Sequence, residues 1–400
     1  MLHRALRPRF FTLALLLTSG LFVAANADAP TRPTDPGTFN VHEWGTFTSI
    51  AGAGGSAVNW APLSGPDDLP CFVERVKFGP KWTLWGTVRM ETPVLYFYST
   101  GDITVDVKVL FHHGVITEWF PRATVTPSTL GAAGDRDGRL AGSVGAAAWT
   151  KVRVRPGAAP NFLREASPSH YYPARETDAA PVQVGSATER FLFYRGVGEF
   201  PAPIDAVVEP DGRVVVRVPS GAPVGDIVVF DNRGGTMRYL ARSVPGSHTV
   251  IEPAQLATGS AASLDQHLER VLTSHGLYAK EARAMIATWR DTWFEEGARL
   301  FYIAPRRTVD AVLPLDIRPR PADVARVFVG RIELMTRETL ADLKGALLKN
   351  DQRALAKYGR FLEPFIDRVF AESSPADRTA MTAARQGIYT NWRPARSACN

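Results

Sequence analysis

The chain has 400 residues, 45% of them hydrophobic and 22% charged. That is too long for one small domain and too apolar for a disordered tail, and the composition fits neither a coiled coil nor a collagen-like rod. The net charge is +6, half of it on Arg4, Arg7 and Arg9, and no basic stripe interleaved with aromatics occurs, so nucleic acid is not an expected partner.

Those three arginines precede an apolar run over 10–23 and the small residues Ala25-Asn26-Ala27. The pattern predicts a signal peptide over 1–27 and a secreted or periplasmic mature chain. The run is short for a membrane span and no later stretch reaches spanning length, so no transmembrane segment is expected after cleavage. In an oxidising compartment Cys71 and Cys399 either pair or remain two separate thiols, and no Cys-x-x-Cys metal motif is present. Residues 28–38, rich in Pro, Thr and Asp, read as a linker.

From 39 to 253 the chain reads as a β-rich domain. Val105, Val107, Val109 and Phe111 alternate with polar neighbours at period two. Glu209-Pro210-Asp211-Gly212 carries turn chemistry between two valine-rich strands. The stretch 124–148, with many Gly and Ala, reads as a flexible insertion. Strands of this length with frequent turns predict a sandwich.

At 260 the period changes. Ser263 and Gln266 suggest a capping box, and Leu264, Leu268, Val271 and Leu272 recur at helical spacing up to Gly276. A second helix is predicted over 278–296, with Met285, Ile286, Trp289 and Trp293 on one face. Strands follow over 300–304, 312–317 and 324–334. Thr336 opens further helices, with Pro364 expected to break or kink one of them, and 373–400 reads as a weakly patterned tail. The expected class is therefore α+β: a β-sandwich-like N-terminal domain, an α+β region over 260–335, and a helical region over 336–400.

Five strings, VHEWGTFTSIAG, VRMETPVLYFYS, FLFYRGVG, TWRDTWFEEGARLFYIAPR and RVFVGRIEL, resemble an uncharacterised family of secreted bacterial proteins. The resemblance runs from about Val41 to Leu334. It implies one secreted folded unit and supplies no functional residues.

The residues that suggest chemistry are few. His42-Glu43-Trp44 sits in a predicted strand, where His42 and Glu43 point to opposite faces; the alternative to a site is a core-facing His42 with Glu43 exposed or paired. His112-His113-Gly114 suggests a hairpin turn that returns Glu118 opposite the histidines. His42, His113 and Glu118 would then form a two-His-one-carboxylate site for a divalent metal, although their spacing fits no named motif. Glu91 enters an apolar strand beside Arg89, as a buried ion pair or as half of a carboxylate pair with Glu43 or Glu118. Tyr172, beside His170, Tyr171, Arg175 and Glu176, offers a proton donor or a loop pinned by Arg–carboxylate pairing. Glu295 and Glu296 end a helix where acids are disfavoured, which asks for a partner such as Arg299, Arg331 or Arg326.

Two functions fit this inventory. One is a non-catalytic envelope protein that binds a glycan or another protein through its β-rich domain. The other is a secreted hydrolase or lyase acting on a polysaccharide, with Glu43, Glu91, Glu118 and Tyr172 as acid–base groups and a divalent metal as its possible cofactor.

Overall fold

The computed structural model describes residues 32–391, except 36, 65–67, 79–82, 128, 131–139, 141, 221–223 and 245. The expected signal peptide and Cys399 lie outside the described residues. Cys71 is disulfide-bonded.

The strand Phe39–Ile50 is the axis of the fold. Val, Trp, Phe, Thr and Ile dominate it, residue types that fit a pleated, packed surface, and all 12 of its residues are buried. It pairs antiparallel with Val88–Ser99 and parallel with Asp323–Leu334. Leu192–Gly198 and then Gly114–Phe120 extend the sheet beyond Val88–Ser99. Gly297–Ile303, Val224–Arg233 and Thr236–Val244 extend it beyond Asp323–Leu334. Most strands thus belong to one large sheet, where two packed sheets were expected. The protein is mixed α/β with C-terminal helices, and strands from both sides of residue 253 share that sheet.

Alternation along the axial strand sends side chains into two cores. Val41 and Phe47 join Leu95, Phe97, Val107, Phe111 and Trp149 on one face. Trp44 joins Tyr96, Phe193, Phe301, Val327 and the helices Ala261–Ser274 and Ala279–Trp293 on the other. A third core gathers Ile50 and Trp60 with the C-terminal helices. At Gly45 the pairing with Val88–Ser99 shifts register; a Cβ there would meet the Phe328 ring at 2.8 Å, so glycine lets the bulge form.

Several local expectations hold. Asp205–Val208 and Val214–Arg217 form the hairpin around Gly212, whose φ is +87°. Trp289 and Trp293 are both buried, and Trp293 packs on Phe301 with ring centroids 5.4 Å apart. Arg331 Nη2 lies 2.8 Å from Glu295, and Arg299 donates to the carbonyls of Trp293, Glu295 and Glu296. The expected break does occur between Gln352 and Phe370, but ahead of Pro364: one helix ends at Ala356, and Pro364 sits in the first turn of the next, Leu362–Glu372, where its missing N–H leaves no bond unmade.

Others are corrected. Ser260 caps the first helix, exchanging bonds with Ser263. Residues 306–312 are helical, and a strand begins only at Leu315. Part of 124–148 is ordered: Thr124–Thr126 pairs with Val144–Val154. The tail forms the helix Pro375–Asn391, which buries Met381, Ala384 and Ile388. No helix among the described residues is long and apolar enough to cross a membrane.

Candidate functional site

The residues singled out for chemistry do not converge. His42 and Glu43 do face opposite sides of the sheet, and both are fully buried. His42 Nδ1 lies 2.8 Å from Glu281 Oε2, and its ring packs on Tyr278 at 4.4 Å and Tyr98 at 5.2 Å. Glu43 accepts from Arg326 Nε and from the Tyr194 hydroxyl, each at 2.5 Å. Glu91 lies 2.6 Å from Arg360 and 3.6 Å from Arg89, and accepts from Thr48. Tyr172 is buried, and its hydroxyl accepts the Glu165 amide at 2.8 Å.

The expected metal set is also dispersed. His113 makes the turn itself, with φ at +57°, and Gly114 starts the next strand. Ile103–His112 and Gly114–Phe120 are not a hairpin pair; the first pairs with Val144–Val154, the second with Leu192–Gly198. Glu118 takes the Thr117 hydroxyl and stands opposite Arg195 in the sheet. Two strands separate Gly114–Phe120 from Phe39–Ile50. Three strand spacings alone separate Glu118 from His42 by at least about 14 Å, whereas metal ligands lie roughly 2 Å from a shared ion. No group of three or more His, Cys, Asp or Glu among the described residues is placed to hold a metal.

What the fold does assemble is a cationic pocket of 630 Å³ between the loop over 155–181 and the helix Ala279–Trp293. The loop contributes Phe162, Arg164 and Arg175, the adjoining segment Arg190, and the helix Lys280 and Arg283. Lys280, Arg283, Ala284 and Ala287 all line it; their spacing of three and four residues puts them on one helix face. The small alanines leave the space, and the long cations rim it. Glu176 is the one carboxylate among the described lining residues.

The loop is firmly seated. Arg175 makes a forked contact with Glu189 at 2.6 to 3.2 Å, and the Tyr171 hydroxyl adds a bond to Glu189 at 2.9 Å. Burial, then the Glu189 charge, push the Tyr171 hydroxyl far above its ordinary pKa, so it stays a donor. The Tyr96 hydroxyl donates to the Ala174 carbonyl at 2.6 Å. Arg190 donates through Nη1 to the Ala179 carbonyl, while its buried Nε has no partner among the described residues.

Next to the pocket, His170 bridges loop and helix. Its Nδ1 is 3.1 Å from Asp68 and its Nε2 2.8 Å from Asp291, with the ring stacked on Trp289. The bond to Asp68, joined by that to Asp291, raises its pKa above 6.5. Burial alone would raise the Asp68 pKa, but the buried Arg195, 2.8 Å away, with His170, holds it well below the usual carboxylate range. With both ring nitrogens occupied, His170 ties elements together rather than presenting a free base.

Of the pocket residues, sequence reasoning reached only the run Arg175-Glu176-Thr177. The stripe at 280, 283, 284 and 287 was the available signal, but its opposing wall lies about a hundred residues upstream.

No protein-family model matches the chain, and no curated protein matches it. A solved structure, the Fcho1 Mu homology domain of Danio rerio with bound Eps15 peptide, is similar over 76% of this chain and 99% of that one, at 10% identity and a TM-score of 0.29. A likeness of that degree carries no argument about function.

Proposed function

We propose that the mature chain is an exported envelope protein, secreted or periplasmic, that binds a glycan or another envelope protein without transforming it. The ligand enters the pocket between the 155–181 loop and the Ala279–Trp293 helix. The observation that carries this reading is the pocket itself: it is wide enough for an extended ligand, within the usual range for binding sites, and its cations come from two rigid walls. In this reading the β-rich part is sandwich-like where Ile103–His112 and Val144–Val154 cover the face opposite the helices, and it supplies the loop wall.

The hydrolase or lyase alternative gains no support from placement. Glu43, Glu91 and Glu118 are separately neutralised or hydrogen-bonded inside the sheet, and Tyr172 accepts a backbone amide.

The test is a glycan and envelope-protein binding screen on the exported protein, repeated with Ala287→Trp to fill the pocket. Binding abolished by the tryptophan supports the site; binding that ignores it removes the site. N-terminal sequencing should return a start close to Asp28, and an intact Met1 would remove the export claim.

A further inference from the structure

The pocket's charges differ in how freely they can meet a ligand, and that difference narrows what the ligand is. Arg175 is committed to buried Glu189. Lys280 and Arg283 are paired at 2.5 and 2.6 Å, but with Asp178 and Glu269, each about one-third exposed. Such solvent-facing pairs hold weakly and exchange readily for an incoming anion. Arg164 and Arg190 make no ion pair among the described residues; Arg164 rests over the Tyr172 ring at 4.9 Å, and Arg190 keeps a buried Nε–H unsatisfied. Leaving a charged donor so is costly unless something accepts from it.

Anion-receptive groups therefore stand on both walls: on the loop and strand side two guanidiniums with no carboxylate partner among the described residues, on the helix side two exchangeable cations. One small acid would satisfy a single wall. Satisfying both takes a ligand with acidic groups at more than one point along its length.

The rest of the lining says what lies between those groups. Among the described lining residues Phe162 is the one aromatic ring. The guanidinium carbons of Arg175 and Arg190 lie 5.2 and 5.1 Å from its centroid, so the ring is already engaged and offers no stacking platform for a nucleobase. Beyond it the apolar lining is only Ala284 and Ala287, which gives peptide side chains no slot to fill. A hydroxyl-rich, anionic chain suits a wall of this composition, because sugars bring the acceptors that guanidinium forks take in pairs.

Resting on the pocket reading above, we infer that the ligand is an acidic glycan, a sugar chain that carries carboxylates on more than one residue. Its carboxylates bridge Arg164 and Arg190 on one side and Lys280 and Arg283 on the other.

The test is calorimetric titration of the full exported chain with tetragalacturonate, with its carboxyl-reduced neutral counterpart, and with hexaglutamate. The uronate should bind, and its affinity should fall as salt is raised. The neutral counterpart and the peptide should each bind about tenfold or more weakly, the scale of one lost charge-assisted bond. Arg164→Gln should weaken uronate binding by a similar factor. So should the double variant Lys280→Gln/Arg283→Gln, while circular dichroism stays unchanged; these side chains are exposed, so the variants fold even if Arg190→Gln does not. Equal affinity for the neutral sugar, tighter binding of hexaglutamate, or no uronate binding at millimolar concentration overturns the inference. If the neutral sugar or the peptide binds and Ala287→Trp abolishes it, the pocket reading survives and only the acidic-glycan assignment falls. If Ala287→Trp leaves uronate binding intact, the pocket reading falls as well.

Discussion

Replacing Trp293 with alanine should destabilise the protein by about 3–4 kcal/mol. The side chain is fully buried, against Phe301 and beside the strand it returns to. A buried tryptophan removes about 200 Å² from water, which at about 25 cal/mol per Å² is near 5 kcal/mol. Its indole N–H is buried with no partner among the described residues, and deleting that group returns about 1–2 kcal/mol. The Arg299 bond to residue 293 goes to the backbone carbonyl and survives the change. Denaturant melts of wild type and Trp293→Ala measure the difference directly. In a thermal melt, at roughly 2 °C per kcal/mol for a chain of this size, the midpoint should fall by at least 5 °C. Trp293→Phe, which keeps a ring and drops the orphaned N–H, should lose less than half as much. A loss for the alanine variant below about 1 kcal/mol, the size of an ordinary surface change, would refute the assignment of this helix face to the core.

Glu333→Gln should cost about 3–5 kcal/mol, because it leaves the buried Arg299 and Arg331 without their shared carboxylate. Burial opposes ionisation of Glu333, but Arg299 and Arg331 hold its pKa below 4.5. Its contribution is therefore complete above pH 4.5 and lost as pH falls through the depressed folded value; acid melts of Glu333→Gln should be flatter than wild type, and parallel curves would contradict this. His170 has the opposite sign: its tie is complete below pH 6.5 and lost as pH rises through its elevated folded value. An NMR titration should place it above 6.5, Asp291→Asn should lower it, and a midpoint at or below 6.5 in wild type would defeat the bridging role. Arg360→Met should loosen the C-terminal helices by about 1–3 kcal/mol by removing the nearest cation of buried Glu91, which keeps Arg89 at 3.6 Å and the Thr48 hydroxyl, seen as faster proteolysis within Leu362–Glu372; an unchanged digest would mean the pair holds nothing. Cys71→Ser should lower stability by about 2–4 kcal/mol, measured under non-reducing conditions, and a variant as stable as wild type would rule out a structural bond.

Local chemistry was readable from the residues alone. The Glu209–Gly212 turn and the Met285–Trp293 stripe each need only neighbours within a few positions, and both stand as expected. The helix Pro375–Asn391 escaped because its buried face is Met381, Ala384 and Ile388, too small and spaced to stand out from polar surroundings. The hairpin expected after His113 failed because a glycine beside a short polar break marks a turn without saying which strands it joins. The expected site residues stand apart for a related reason. Period two correctly set His42 and Glu43 on opposite faces, yet nothing in it shows that Glu281 and Arg326 wait on those faces to neutralise them. The pocket was half visible, as the helix stripe from Lys280 to Ala287, and half hidden in a loop whose docking depends on Tyr96 and Glu189.

The parallel pairing of Phe39–Ile50 with Asp323–Leu334 governs the order in which the molecule can form. Glu43 and Arg326, bonded to each other, are 283 positions apart. Closing a contact of that span carries its chain-entropy cost before any reward arrives, which makes such topologies slow to fold. Until residue 334 is available, the fully buried 12-residue strand Phe39–Ile50 has a neighbour on one side only. The N-terminal half synthesised alone would expose that strand's other edge, with Trp44 and Phe47 unprotected, as a template for pairing between copies. A growing chain of this sequence therefore commits to its final shape late and almost all at once, and shortening it from the C-terminus past Leu334 should yield aggregates rather than a smaller folded protein.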